Sequence, residues 1–157
     1  QNLSDGRFKR DVRDDVPGLA FIKRLRPVTY TLDAAELDRF LGIASRMAKL
    51  EDPVARQQYL DRVQEVSRQV LTGFVAQEVE QSAKDIGFQF DGVHHPVDEH
   101  DHYTLGYASF VVPLVKAVRE QQTIIEALRH ELDAAAAERA ELLRRLERIE
   151  ANTKHQE

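Results

Sequence analysis

The sequence predicts an α+β protein: a small mixed globular lobe with an inserted helical hairpin, followed by a long C-terminal helix that forms a trimeric parallel coiled coil. Three observations support this fold class. Short segments rich in β-branched residues lie before and after residues 33–70, two amphipathic stretches fill 33–70, and a 4-3 apolar repeat starts at Leu114. We therefore expect two units, a lobe at 1–112 and a trimerisation helix at 113–157.

The first 32 residues are predicted to contain a turn, a short helix and a strand. Residues 5–16 carry mixed charges and are typical of a turn and an edge strand, which a Pro-Gly pair at 17–18 ends. Apolar residues at 19–25 predict a short helix that stops before Pro27, because the residue preceding a proline is displaced from the α region. Residues 28–32 alternate with period two, which predicts a half-buried strand.

Residues 33–70 are predicted to form an inserted helical hairpin. Asp33 is a candidate cap for a first helix, whose apolar residues recur at helical spacing as far as residue 50. Pro53 starts a second helix that runs through Val70. The two helices are expected to join at residues 51–52.

The segment between the hairpin and the last helix is predicted to alternate short elements with turns. Residues 73–75 predict a strand, and residues 76–86 predict a helix that Gly87 ends, since glycine tolerates the left-handed conformation there. A brief strand at 88–90 and a loop at 91–102 follow. Ser109 is the expected N-cap of the last helix, which places Pro113 in its first turn.

The last helix carries the apolar repeat of a coiled coil. Nine of its eleven a and d positions are apolar over five heptads, and residues 114–149 span about 54 Å at 1.5 Å per residue. The alternative is one amphipathic helix packed on its own lobe, but the lobe is too small to cover it. Isoleucine and leucine at these positions favour more than two strands, and Gln121 is expected to set the register. The predicted trimer core comprises Leu114, Val118, Gln121, Ile125, Leu128, Leu132, Leu142, Leu146 and Ile149.

Composition and charge narrow the classes of function. The chain is 42% hydrophobic and 31% charged, which indicates a soluble protein, and no apolar run approaches the ~20 residues that cross a bilayer. Its net charge of −5 has both signs interspersed, so neither nucleic acid nor a membrane is an expected partner. Zero cysteines exclude a disulfide framework and a thiolate metal site. Because the first residue is Gln rather than Met, we expect a piece of a longer chain.

The most informative short motif is SDGRFK at residues 4–9. It places the hydroxyl of Ser4 and the amine of Lys9 five positions apart, which is either a polar turn with a solvated lysine or a nucleophile with its base. Five extended residues span roughly 17 Å, so the two side chains meet only through a tight turn or between subunits. A lysine amine is a base only when neutral, and neutrality at pH 7 requires an environment that opposes its charge by about 4 kcal/mol. Burial of the amine provides such an environment, but an exposed single chain does not bury Lys9. We therefore expect cleavage to depend on assembly.

Four blocks of this sequence together resemble the S74 peptidase family, the intramolecular chaperone auto-processing domain at the C-terminal ends of phage tail fibres, tailspikes and endosialidases. The blocks are SDGRFK-RDV, PGLAFIKRLRPVTY, GFVAQEVE and YASFVVPLVKAVRE, and they lie within residues 4–32 and 73–128 in the order of the family. Residues 33–70 depart from the short connection expected there. The resemblance implies a homotrimer that folds an upstream fibre-like parent chain, its client and substrate.

The resemblance also implies self-cleavage. Ser4 would be the nucleophile and Lys9 the base of a serine endopeptidase that acts once, without a cofactor, at the bond between Leu3 and Ser4. If the parent is phage-like, assembly would occur in the host cytoplasm, and the parent would reach the virion or cell surface. Two alternatives stay open: an uncleaved trimeric cap of a fibre or adhesin, and a plain coiled-coil oligomerisation tag.

Four further residues are expected to support the site. Asp5 is suited to bond the backbone two residues on, and Arg7 to bridge to Glu78 or Glu80. Gln77 and Glu78 match the AQE block of the family and are expected to give buried polar support.

The other conspicuous cluster is a loop at 94–102 with four histidines and three carboxylates. Its spacing matches no standard set of metal ligands, so we expect a solvated loop and no metal.

Overall fold

The structure, a computed structural model, describes residues 4–154, and the side chains of residues 4–149 among them. It is a mixed helix and sheet protein with a long C-terminal helix, which confirms that part of the predicted fold class. Two 3-10 helices, Gly6–Phe8 and Tyr107–Phe110, accompany the regular elements. These elements are α1 (Leu19–Ile22), β1 (Val28–Thr31), α2 (Ala34–Phe40), α3 (Ile43–Ala48), α4 (Pro53–Arg68), β2 (Val70–Gly73), α5 (Ala76–Lys84), β3 (Val93–His94), β4 (Thr104–Leu105) and α6 (Val111–Lys154).

Two antiparallel strand pairs organise the lobe. Strand β1 pairs with β2, with Val28 opposite Gly73 and Thr31 opposite Val70, and β3 pairs with β4. The strand predicted at residues 73–75 is therefore wrong in its bounds. The observed strand starts at Val70, a residue that the sequence pattern places in the preceding helix. The β1–β2 pair brings the two ends of the inserted segment together.

The inserted segment contains three helices rather than the predicted two. The chain turns between α2 and α3 at Gly42, whose φ of 69° lies in the left-handed region that glycine adopts without strain. Asp33 caps α2 by accepting from the Glu36 N–H at 2.9 Å, as predicted, and Asp52 caps α4 by accepting from the Val54 N–H at 2.8 Å.

Three further boundaries differ from the sequence prediction. Residues 5–16 contain a 3-10 turn and no strand. Phe88 and Phe90 do not form a strand: Gly87 ends α5 as predicted, and the Phe88 N–H then donates back to the Ala83 carbonyl at 2.9 Å. Ser109 does not cap the last helix, because it lies inside the 3-10 helix that leads into α6.

An aromatic cluster forms the core. Phe21 of α1 is fully buried, and the ring of Phe90 lies 4.9 Å from it, with Phe88 at 5.2 Å and Phe110 at 6.4 Å. Val79 of α5 is also buried in this cluster. These five side chains come from α1, α5, the turn after α5 and the entry to α6, so the cluster joins α1 and α5 to the start of the C-terminal helix.

Removing the Phe21 ring should destabilise the lobe more than any exposed substitution. Phe21→Ala leaves a cavity among three other rings, and buried Phe→Ala changes cost about 3–5 kcal/mol. Urea unfolding followed by circular dichroism measures this loss. Val97→Ala, at a residue 82% exposed, is the matched control and should unfold like the wild type. Equal stability of the two variants would show that this cluster is not the core.

One face of helix α6 packs against the lobe. Pro113 and Ala117 in its first turns are buried, and the Glu120 carboxylate accepts from the Leu19 N–H at 2.7 Å, at the start of α1. Pro113 lies in the first turn of α6, as the sequence predicted. Among the helices described, none is long and apolar enough to cross a membrane.

Candidate active site

Ser4 and Lys9 lie within hydrogen-bonding distance of each other. Lys9 Nζ donates to Ser4 Oγ at 3.0 Å. Fully extended, the chain would hold these residues roughly 17 Å apart, so the contact requires a tight turn. The single chain therefore brings the Ser4 hydroxyl and the Lys9 amine together without a residue from a second copy.

The 3-10 helix Gly6–Phe8 produces this turn. The Asp5 carboxylate caps it by accepting from the Arg7 backbone N–H at 2.9 Å, and the Lys9 N–H donates to the Gly6 carbonyl at 3.2 Å. An aspartate that bonds the backbone two residues on favours such a turn. The local sequence thus folds Lys9 back towards Ser4.

The Asp5 carboxylate also holds the Arg7 side chain. Arg7 Nε and Nη2 donate to Asp5 Oδ2 at 3.0 Å and 2.6 Å. These hydrogen bonds hold the pKa of Asp5 below its ordinary value, and a carboxyl with a lowered pKa is a weak base. Lys9 is therefore the better candidate to take the Ser4 proton. The predicted bridge from Arg7 to Glu78 or Glu80 does not form, because the nearer Asp5 carboxylate takes the guanidinium.

Glu78 pairs with Arg26 instead. Arg26 Nε donates to Glu78 Oε2 at 3.0 Å, and this hydrogen bonding lowers the pKa of Glu78. Gln77 and Glu78 are both exposed, so the buried polar support expected from them is absent in the single chain. The physical reason is the orientation of α5, which turns Val79 into the core and its two polar neighbours outwards.

The pair formed by Ser4 and Lys9, called the dyad below, is exposed to solvent in the single chain. Ser4 and Lys9 are exposed, and Phe8 beside them is 65% exposed. Water stabilises the charged form of a lysine amine, whereas burial favours the neutral form that a base requires. In the single chain, Ser4 and Lys9 are therefore in contact but are not buried. Leu3, which the sequence predicts to carry the attacked carbonyl, lies outside the described residues.

The histidine-rich loop at 94–102 is a hydrogen-bonded turn between β3 and β4, with Asp101 at its centre. The Asp101 carboxylate accepts from the Val97 and His102 N–H groups at 3.0 Å and 2.8 Å, and His94 Nε2 lies 2.7 Å from it. The hydrogen bond from Val97, followed by those from His94 and His102, lowers the pKa of Asp101 to about 2. No group of three or more potential metal ligands occurs in the part of the chain that the structure describes.

The stability of the fold should depend on Asp101 above pH 4. A carboxyl with a lowered folded-state pKa stabilises the fold above its ordinary value of 3.8, and this contribution is lost as the pH falls towards about 2. Unfolding free energies of wild type and Asp101→Asn should therefore differ near neutrality and converge at low pH. Glu99→Gln, at a side chain 88% exposed, should follow the wild type. A gap between wild type and D101N that stays constant with pH would contradict this role.

The predicted trimer core lies on a face of α6 that the lobe leaves uncovered. The exposure of the apolar residues on this face ranges from 43% at Ile125 to 69% at Leu132. Exposed apolar residues at 111, 115, 124 and 143 broaden it. The alternative in which this seam packs on its own lobe is wrong, because the lobe packs on Pro113 and Ala117 instead. Large exposed apolar surfaces are typical of sites that contact another protein, a membrane or a ligand.

Sequence reasoning missed the contacts between the N-terminal segment and α6. Lys116 Nζ donates to Asp14 Oδ1 at 3.2 Å, and the Leu19 N–H donates to Glu120. The partners are about a hundred positions apart, so no local spacing connects them. In the heptad pattern, Lys116 and Glu120 simply occupy outward positions.

A comparison with protein families finds a match for this chain. A model of the Peptidase_S74 family, described as a chaperone of endosialidase, matches residues 4–88. The matched stretch includes Ser4, Lys9, Gln77 and Glu78, and it ends before α6. The resemblance read from the sequence blocks is thereby confirmed. Neither a curated protein nor a solved structure matches the chain.

Proposed function

This chain belongs to the Peptidase_S74 family, and on that premise we propose that it is an intramolecular chaperone that trimerises, folds an upstream fibre-like or tailspike-like chain, and then releases itself by Ser-Lys autoproteolysis. The family description as a chaperone of endosialidase supports the chaperone role and a client upstream. The self-cleavage, the trimeric state and the kind of client are the parts that we propose. The observation that carries the cleavage is the 3.0 Å contact between Lys9 Nζ and Ser4 Oγ.

The proposed reaction is an acyl transfer within the chain. Neutral Lys9 takes the proton of Ser4 Oγ, and the oxygen attacks the carbonyl carbon of Leu3. The C–N bond to Ser4 breaks, the Ser4 nitrogen receives a proton and becomes an amine, and an ester joins Leu3 to Ser4 Oγ. Water then hydrolyses the ester, which leaves a carboxylate on Leu3 and restores the Ser4 hydroxyl. Because the substrate bond is in the same chain, each molecule reacts once.

Assembly of three copies would provide the burial of Ser4 and Lys9 that the single chain lacks. The open apolar face of α6 is the surface on which three copies would associate as a parallel coiled coil, with Ile125 and Leu128 at its centre. Association would also enclose the exposed dyad, and burial favours the neutral form of a lysine amine. Registering three chains at this end lowers the entropic cost of aligning the long structures upstream, whose contacts are non-local.

The second candidate function is an uncleaved trimeric cap. The exposure of Ser4 and Lys9 favours it, because a serine and a lysine that touch in a solvated turn need have no chemical role. The cap would use the same face of α6 and the same lobe.

One experiment separates the two functions. The chain is expressed with upstream parent residues attached, purified under native conditions, and its fragments are weighed by mass spectrometry. A fragment with Ser4 as its new N-terminus is expected for autoproteolysis. An intact chain that sediments as a trimer would identify the cap.

A further inference from the structure

The dyad lies near the far end of an arm of the chain, residues 4–18, that leads into α1. Residues 6–15 are exposed, and the side chains and backbone of 4–13 find their described hydrogen-bond partners inside that same stretch. The turn at Gly6–Phe8 fixes Ser4 relative to Lys9, but it does not fix either of them relative to the rest of the molecule. The described hydrogen bonds that join this end of the chain to another element come further along, at Asp14 and Leu19, and both lead to helix α6.

The anchor is on helix α6. At the end of the arm, the Leu19 N–H donates to Glu120 Oε2 at 2.7 Å in a partly buried hydrogen bond. Asp14 within the arm accepts from Lys116 Nζ at 3.2 Å, and the Lys116 side chain is 29% exposed. The two contacts lie one turn apart on α6, so they hold the arm at two points.

Gly18 allows the arm to reach α6 closely. This glycine is buried, and a Cβ built on it would come within 2.6 Å of the Ala117 backbone N and 2.7 Å of the Glu120 carboxylate. Only a residue without a side chain lets the chain pass here at this distance. The close approach places the Leu19 N–H directly at the Glu120 carboxylate.

The two sides of α6 have separate tasks. Lys116 and Glu120 occupy heptad positions f and c, which face outwards, whereas Val118 between them is at position a of the open apolar face. A continuous helix is rigid over this single turn. The same short stretch of α6 thus carries the anchor of the arm on one side and the proposed contact with other copies on the other.

We propose that Glu120 is a positioning residue for self-cleavage, which with Lys116 fixes the arm on α6 so that association of the helices encloses Ser4 and Lys9 against a neighbouring copy. This inference rests on the proposed function. Glu120 touches neither Ser4 nor Lys9 and acts through the backbone N–H of Leu19. If the anchor is lost, the trimer still forms, but the dyad stays exposed to water.

The test uses the chain with its upstream residues and measures the single-turnover cleavage rate together with sedimentation. Glu120→Ala should slow cleavage at pH 7 by about ten- to a hundredfold, the cost of a misplacement of about 1 Å, and should remain trimeric. Glu120→Gln should cut near the wild-type rate, because its amide oxygen still accepts from Leu19. Glu126→Ala, at outward position b with its carboxylate on Gln122 of the same helix, is the matched control and should leave cleavage unchanged.

Two further measurements distinguish positioning from a general loss of structure. The rate of Glu120→Ala should rise more steeply with pH than that of the wild type, because solvated lysine amines become neutral near pH 10.4. Hydrogen exchange of the Leu19 amide should be faster in Glu120→Ala than in Glu126→Ala. Gly18→Ala, which drives the arm away from Ala117, should reproduce the slowed cleavage by a second route.

Several results would overturn the inference. These are a Glu120→Ala chain that cuts at the wild-type rate, a Glu120→Gln chain as slow as Glu120→Ala, and loss of the trimer in Glu120→Ala. If the wild-type chain itself never cuts, the proposed function fails, and exchange at Leu19 alone decides whether Glu120 anchors the arm.

Discussion

Neither Ser4→Ala nor Lys9→Ala should cut the bond between Leu3 and Ser4, and both should sediment like the wild type. The first variant lacks the attacking oxygen and the second lacks the base 3.0 Å from it, so each rate should fall by at least about 10²–10⁴-fold. Association should survive, because the apolar face of α6 does not include these residues. Mass spectrometry of the chain with its upstream residues, sampled over time, measures the loss.

Lys9→Arg separates a base from a fixed positive charge. Arginine keeps the charge and can donate to Ser4 Oγ, but its guanidinium stays protonated at any usable pH, so this variant should fail as completely as Lys9→Ala. Ser45→Ala and Lys49→Ala, at exposed positions of the inserted segment, are matched controls and should cut normally. Wild-type cleavage by Lys9→Arg would remove Lys9 from the role of base.

Ile125→Asp should abolish the trimer and, with it, cleavage. Ile125 is at position a of the open face of α6, where association would bring three carboxylates together. Keeping them charged in an apolar seam is costly, and protonating them still loses isoleucine packing worth about 2–5 kcal/mol per chain. Sedimentation equilibrium should show monomers, and fragment masses should show an intact chain.

The matched control for this prediction is His130→Asp. It adds the same side chain to α6 at outward position f, so the trimer and cleavage should both persist. A monomeric Ile125→Asp chain that still cuts before Ser4 would break the link between assembly and catalysis. The domain would then be a protease that works one chain at a time, with its burial supplied by the upstream residues.

The parts of the fold that could be predicted are those decided by neighbours in sequence. Asp33 caps α2, Gly87 ends α5 and residues 28–31 form β1, because each depends on local dihedral preferences or on a side chain reaching a backbone group a few residues away. The wrong boundary at Val70 is one that is decided at a distance. Val70 was placed in a helix because of its spacing, yet pairing with Thr31 draws it into a strand.

In the candidate site, too, one contact could be predicted from neighbouring residues and another could not. The motif at residues 4–9 contains both the dyad and the Asp5 carboxylate that forms its turn, so the contact between Ser4 and Lys9 follows from six adjacent residues. The partner of Arg7 was mistaken, because an adjacent carboxylate competes better for a guanidinium than one that must be brought from α5.

By itself, the sequence determined the family, the pairing of the Ser4 hydroxyl with the Lys9 amine, and the apolar face of the last helix, since each depends on residue types at short or periodic spacing. Only the tertiary structure decided which face of α6 holds the lobe, that Phe21 gathers the core rings, and that Glu120 receives the Leu19 N–H. These contacts join residues between 67 and 101 positions apart. Their partners are chosen by packing and by the need to satisfy buried backbone groups, which no local pattern records.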